Sequence, residues 1–133
     1  MFSEADIKKQ ALETIELQAQ SVAELKNYVN TDFTDVVKRI HGSKCRVVIT
    51  GIGKSAVIAQ KMVATCNSTG TPALFMHAAD AIHGDLGMIL PDDVVLIISK
   101  SGSSPEIKVL IPFIKNFGNT VVAICGNETS YLA

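Results

Sequence analysis

Ile7, Ala11, Ile15, Ala19, Val22, Leu25 and Val29 recur every three or four positions at the start of the chain. That is the spacing of one face of an α-helix, so the pattern predicts a long amphipathic helix over residues 3–29. Ser3 with Asp6 resembles a capping box at its start. Asn30 and Thr31 break the pattern, and Phe33, Val36, Val37 and Ile40 predict a short second helix over 32–40, ended by Gly42.

From Arg46 the period changes. Residues 46–50 form a β-branched run, and further apolar runs lie at 73–76, 94–99 and 120–125. Helical patterns at 55–67 and 105–117 separate them, with the turn signal Ser68-Thr-Gly-Thr-Pro72 closing the first. Strands without polar alternation, interleaved with helices, predict an α/β fold whose parallel sheet is covered on both faces. In such sheets ligands bind at the carboxyl ends of the strands. The segments after Thr50, Met76, Ser99 and Cys125 are therefore where chemistry is expected.

Composition narrows the classes. A length of 133 residues suits one domain. The net charge of −1 excludes a strongly basic nucleic-acid binder and an acidic tail, and 47% hydrophobic residues exclude disorder. With only 19% charged residues and a mean hydropathy of +0.30, the chain is more apolar than its size calls for. Strands buried on both faces, a partner chain, or both would absorb that surface. The longest apolar runs, such as Val94–Ile98, fall far short of the ~20 residues of a membrane-spanning helix. The charged N-terminus also lacks the core of a signal peptide. Cys45, Cys66 and Cys125 are odd in number and widely spaced, which argues against a disulfide framework or a zinc site and for a reducing, cytoplasmic setting.

Two loops carry candidate chemistry. After the first strand, Gly51-Ile-Gly53-Lys54-Ser55-Ala56 leads into a helix. A Walker A loop fails because Val48 stands where a Gly is needed. The dinucleotide fingerprint is formally met by Gly51, Gly53 and Ala56, but the second strand ends at His77 rather than at the acidic residue that would hold ribose hydroxyls. A generic anion loop remains, with Ser55 at a helix N-terminus and Lys54 adding charge, beside the plainer reading of a strand-to-helix turn. After the third strand, Ser99-Lys100-Ser101-Gly102-Ser103-Ser104 precedes Pro105 in its favoured first-turn position. Unpaired amides, the helix dipole and several hydroxyls there suit a phosphate; one serine as a simple cap explains one serine of four. Together the loops could hold one phosphate of a small molecule.

The segment after the second strand, His77-Ala-Ala-Asp80-Ala-Ile-His83-Gly-Asp85, matches no metal-ligand spacing, so no metal is expected. His83 suits proton transfer, His77 a backbone hydrogen bond at the strand end, and Asp85 a turn cap. Glu106 falls in the first turn of the helix after the serine loop, where it either complements the dipole or acts in the pocket near Lys54, which could hold it ionised.

Gly51-Ile-Gly-Lys-Ser55, Ser68-Thr-Gly-Thr-Pro72, His83-Gly-Asp-Leu-Gly-Met88 and Ser99-Lys-Ser-Gly-Ser103, in this order, resemble the sugar isomerase (SIS) domains, and among them most closely the arabinose-5-phosphate isomerases. The resemblance covers nearly the whole chain. It implies a Rossmann-like three-layer α/β/α sandwich around a five-stranded parallel sheet, with helices in 1–42 and an α/β core in 43–133. It also implies that the core continues past Ala133, since Gly126–Ala133 would enter another helix with a fifth strand, another catalytic Glu, a His and often paired regulatory repeats to follow. By position, Ser55, Ser99, Ser101 and Ser104 would hold a sugar phosphate, with backbone help from Lys100 and Gly102. Lys54, Glu106 and His83 would be catalytic. Ser103 departs from the pattern, standing where many members carry Glu.

The activity so implied is interconversion of D-ribulose 5-phosphate and D-arabinose 5-phosphate through an enediol, without a cofactor, feeding 3-deoxy-D-manno-octulosonate synthesis for lipopolysaccharide or capsule. A non-catalytic module that senses a sugar phosphate is the alternative. No nucleic-acid or membrane partner is expected, and the long amphipathic helix points to a homo-oligomer, a dimer or tetramer.

Overall fold

The computed structural model describes residues 3–133; the first two positions of the expected 1–42 helical region lie outside them. The chain forms two compact units, Met1–Lys38 and Arg39–Ala133.

In the first unit, α1 spans Glu4–Glu24 and continues as a single 3-10 turn, Leu25–Tyr28. The capping box at its start is present: the Asp6 amide donates to Ser3 Oγ at 3.1 Å and the Ser3 amide to Asp6 Oδ2 at 3.0 Å. The expected apolar stripe is there and stays exposed along its length, Ile7, Ile15, Val22 and Leu25 included. A second helix, α2, spans Thr31–Gly42, so its last four residues belong to the second unit. Asn30, read as an interruption, starts it: its Oδ1 accepts the Phe33 amide at 3.0 Å.

The second unit holds β1 (Val47–Gly51), α3 (Lys54–Ser68), β2 (Ala73–His77), a short α4 (Ala78–Ala81), a 3-10 turn (Asp85–Met88), β3 (Val94–Ser99), α5 (Pro105–Asn116) and β4 (Thr120–Cys125). All strand pairs are parallel, in the order β2-β1-β3-β4. The crossovers β1-α3-β2 and β3-α5-β4 therefore run in opposite directions along the sheet. Since such crossovers are right-handed, α3 and α5 lie on opposite faces. The packing agrees. Val48, Val95, Ile97 and Met76 share one core with α4 and with Ile107, Leu110, Ile111 and Ile114 of α5, whereas the buried Ala56 and Ala59 of α3 stand outside that cluster. The result is the expected α/β/α sandwich.

Two expectations change. The strands were read as buried on both faces; β1 and β3 are, but the outer strands β2 and β4 are only partly covered. Gly126–Ala133, expected to enter a helix, forms turns, because the Asn127 side chain accepts both the amide (3.0 Å) and the hydroxyl (2.8 Å) of Thr129.

At the amino ends of β1 and β3 sits an ion pair that sequence reading did not anticipate. Asp93, with no exposed side-chain surface, accepts from the Arg46 guanidinium at 2.8 Å, the Arg46 amide at 3.1 Å and the Leu90 amide at 2.9 Å. Burial alone raises this carboxyl. The guanidinium hydrogen bond, the two amides and the Arg46 charge outweigh it and hold the group below the usual carboxylate range. Stability from such a group is complete above the ordinary carboxylate pKa and is lost as pH falls through the lowered value. Asp93→Asn should cost about 2–4 kcal/mol at pH 7. In urea titrations the gap to wild type should narrow below about pH 4; a pH-independent gap would contradict this account.

Candidate active site

The strand order reverses between β1 and β3, so their carboxyl ends open a crevice where ligands of open α/β sheets bind. The loops flanking it are the two singled out from sequence. Gly51 ends β1, and a Cβ there would stand 3.1 Å from the Ile98 carbonyl oxygen, 3.1 Å from the Ser55 carbonyl carbon and 3.2 Å from the Ala56 nitrogen. The missing side chain thus lets β1, β3 and the start of α3 meet. Gly53, with φ +57°, is the residue before α3, so Lys54 and Ser55 are its first two residues. Their amides have no acceptor within the helix and, with the dipole, favour an anion. Lys54 is exposed and Ser55 half-buried.

Across the crevice the serine loop is folded on itself. Ser99 is buried, and its Oγ accepts the Gly102 amide at 3.1 Å; Ser101 Oγ accepts the Ser103 amide at 3.3 Å. Ser104 precedes α5 but forms no side-chain cap, and its Oγ is buried without a hydrogen-bond partner. The Lys100 side chain is exposed and its carbonyl accepts the Gly126 amide at 3.1 Å. Glu106 is the second residue of α5 and half-buried. A buried hydroxyl left unpaired beside a helix N-terminus is a hydrogen-bonding capacity that a ligand oxygen would satisfy.

The loop after β2 lies at the same sheet edge, since His77 is in register with Gly51. His77 takes the role expected of it: its Nδ1 accepts the Ala79 amide at 3.3 Å and starts α4. His83 is exposed just past α4, its amide donating to the Asp80 carbonyl at 2.9 Å. Gly84 and Asp85 open the following 3-10 turn. The topology places the Lys54–Ser55 and Ser99–Glu106 segments across one crevice, with the His83 loop beside β1. Among the described residues no ion pair or hydrogen bond joins Lys54, Glu106 and His83, so the suggested Lys54–Glu106 pairing is not formed in this state. No group of three or more His, Cys, Asp or Glu side chains gathers among those residues either, and no helix is long and apolar enough to cross a membrane.

Two features of the site escaped sequence reading. Thr50, fully buried one residue before Gly51, leaves its hydroxyl unpartnered. The turns of 126–132 also pack on the serine loop: the Tyr131 amide donates to Ser103 Oγ at 3.3 Å and the Leu132 amide to the Gly102 carbonyl at 3.0 Å. Ser103, the departure noted above, thus serves as an acceptor for this segment. Gly126-Asn127 was the available signal, a turn pair where a helix was expected.

Residues 39–133 match the SIS domain, and the chain belongs to that family. It is 44% identical over 133 residues to the arabinose 5-phosphate isomerase KdsD of Pseudomonas aeruginosa, covering 100% of this chain and 41% of that protein. To the protein of the same name from Escherichia coli K12 it is 42% identical over 128 residues, covering 96% and 39%. The solved structure of E. coli CFT073 c3406 in complex with A5P matches with a TM-score of 0.93 at 36% identity, over 99% of this chain and 70% of that one. The chain thus spans about two fifths of the length of the curated relatives it matches.

Gly51→Ala should lower stability by about 1–3 kcal/mol, because all three of its close neighbours are backbone atoms that cannot rotate away. A thermal melt at the wild-type midpoint would contradict the close packing.

Proposed function

We propose that the protein is an aldose–ketose isomerase of phosphosugars, interconverting D-arabinose 5-phosphate and D-ribulose 5-phosphate. The observation that carries the proposal is the pairing of the Gly51–Ser55 loop with the serine loop at the β1/β3 crevice, each leading into a helix N-terminus. Likeness to the isomerases named above, and to a protein solved with A5P, supports the choice of sugar.

The phosphate is held by Ser55, Ser99, Ser101 and Ser104, with the backbone of Lys100 and Gly102, at the two helix N-termini. That anchor fixes C1 and C2 near the other side chains of the crevice. From the aldose, a base removes the C2 proton to give the cis-enediol and returns a proton to C1, while the hydroxyl proton passes from O2 to O1. Glu106 or His83 is the base, and Lys54 stabilises the oxygen on which charge develops. No electrons leave the sugar, so the step needs no redox cofactor. The product would feed 3-deoxy-D-manno-octulosonate synthesis in the cytoplasm. We read the exposed stripe of α1 as a surface for a second copy of the protein in a dimer or tetramer.

The full-length protein mixed with D-ribulose 5-phosphate, without nicotinamide, should form D-arabinose 5-phosphate, followed by NMR. Lys54→Ala and Glu106→Ala should each lower kcat by about a hundredfold or more, with unchanged circular dichroism and melting. Wild-type turnover in both variants would overturn the assignment; sugar-phosphate binding without turnover in the wild type would instead favour a sensing module.

A further inference from the structure

The serine loop does not hold its shape alone. Its own bonds, Ser99 Oγ to the Gly102 amide and Ser101 Oγ to the Ser103 amide, are local, while Gly102 sits at φ +63°, a conformation disfavoured for every residue with a Cβ. The remaining contacts come from the segment after β4. The Gly126 amide reaches Lys100 O at 3.1 Å, the Tyr131 amide reaches Ser103 Oγ at 3.3 Å, and the Leu132 amide reaches Gly102 O at 3.0 Å. Leu132 is buried in the same core as Ile107 and Leu110 of α5, which follows the loop. Ser130 lies directly on Gly102: a Cβ there would stand 2.5 Å from Ser130 Cβ and collide with Ser130 Oγ. Three loop positions, Lys100, Gly102 and Ser103, are thus tied to one strap that is itself anchored in the core.

We propose that the strap Gly126–Leu132 is the template that gives the serine loop its anion-binding shape, with Leu132 as its anchor and the amides of Gly126, Tyr131 and Leu132 as the groups that hold the loop. This rests on the loop being the phosphate site. The strap touches the loop, not the ligand. It directs the unpaired amides and the Ser104 hydroxyl by holding Gly102 in its left-handed conformation. A shift of the loop by an ångström is expected to loosen the phosphate anchor, and so to move KM more than the folding of the sheet.

The test compares Gly102→Ala, Ser130→Gly and the double variant in the full-length protein, by hydrogen exchange without ligand and by KM and kcat for D-ribulose 5-phosphate. Gly102→Ala should speed exchange in the 99–104 segment while leaving β1 and β3 protected, and should raise KM by on the order of a hundredfold. Ser130→Gly alone should keep KM within about threefold of wild type. The double variant, which removes both atoms the new Cβ would strike, should recover KM to within about tenfold, the remainder being left-handed strain. Wild-type exchange and KM in Gly102→Ala would overturn the proposal. A defect that Ser130→Gly does not relieve would overturn it too, since left-handed strain or a clash with the ligand, not contact with the strap, would then account for it. Absence of turnover in the wild type would refute the isomerase reading, and the exchange rates would still decide whether the strap shapes the loop.

Discussion

The structure depends on one crowded point, the end of β1, where no side chain fits. A Cβ at Gly51 would stand little more than 3 Å from the Ile98 carbonyl of β3 and from the backbone of the first turn of α3. The contact draws together the two strands between which the sheet order reverses, and it brings the α3 N-terminus against the end of β3. A crevice with a helix start on each side follows from that approach. The local charge is modest: one lysine, two dipoles and a set of hydroxyls, which suits a monoester phosphate bound by hydrogen bonds more than by ion pairing.

The opposite end of the sheet is built on a different principle. There Asp93 gathers Arg46, the Leu90 amide and the strand backbone around its buried carboxylate. All of its acceptors are engaged in structure, and it registers the amino ends of β1 and β3. At the carboxyl ends, by contrast, Thr50 and Ser104 keep buried hydroxyls without partners. The amino edge is not fully satisfied, since Asn119 Oδ1 there is also buried without a partner, but the unpaired hydroxyls lie at the carboxyl edge, where they can donate to a ligand oxygen.

Much of this was legible in the sequence, for physical reasons that differ by element. The strands at 94–99 and 120–125 were read to the residue because apolar runs there are bounded by polar positions, and the helix from Pro105 to within one residue of its end because Ile107, Leu110, Ile111 and Ile114 keep one face. The turn of helix at Ala78–Ala81 was not legible: its two buried alanines are held by tertiary contacts and leave no period. The Arg46–Asp93 pair joins residues 47 positions apart, which no local pattern encodes. At the candidate site, the two loops were singled out from glycine and hydroxyl content, but the hydrogen bonds that each serine makes were not. Ser99 and Ser101 brace the loop, Ser103 receives the strap and Ser104 stays free, and those roles follow from backbone turns that composition does not specify.

The central claim is that the β1/β3 crevice is the phosphate site. The most direct measurement is amide chemical-shift mapping as D-arabinose 5-phosphate is added. The account predicts the largest shifts in 51–56 and 99–106, at the two helix starts. Shifts confined to the opposite edge of the sheet, around Pro91, Phe117 and Asn119, or no shifts in the two loops at saturating ligand, would contradict it.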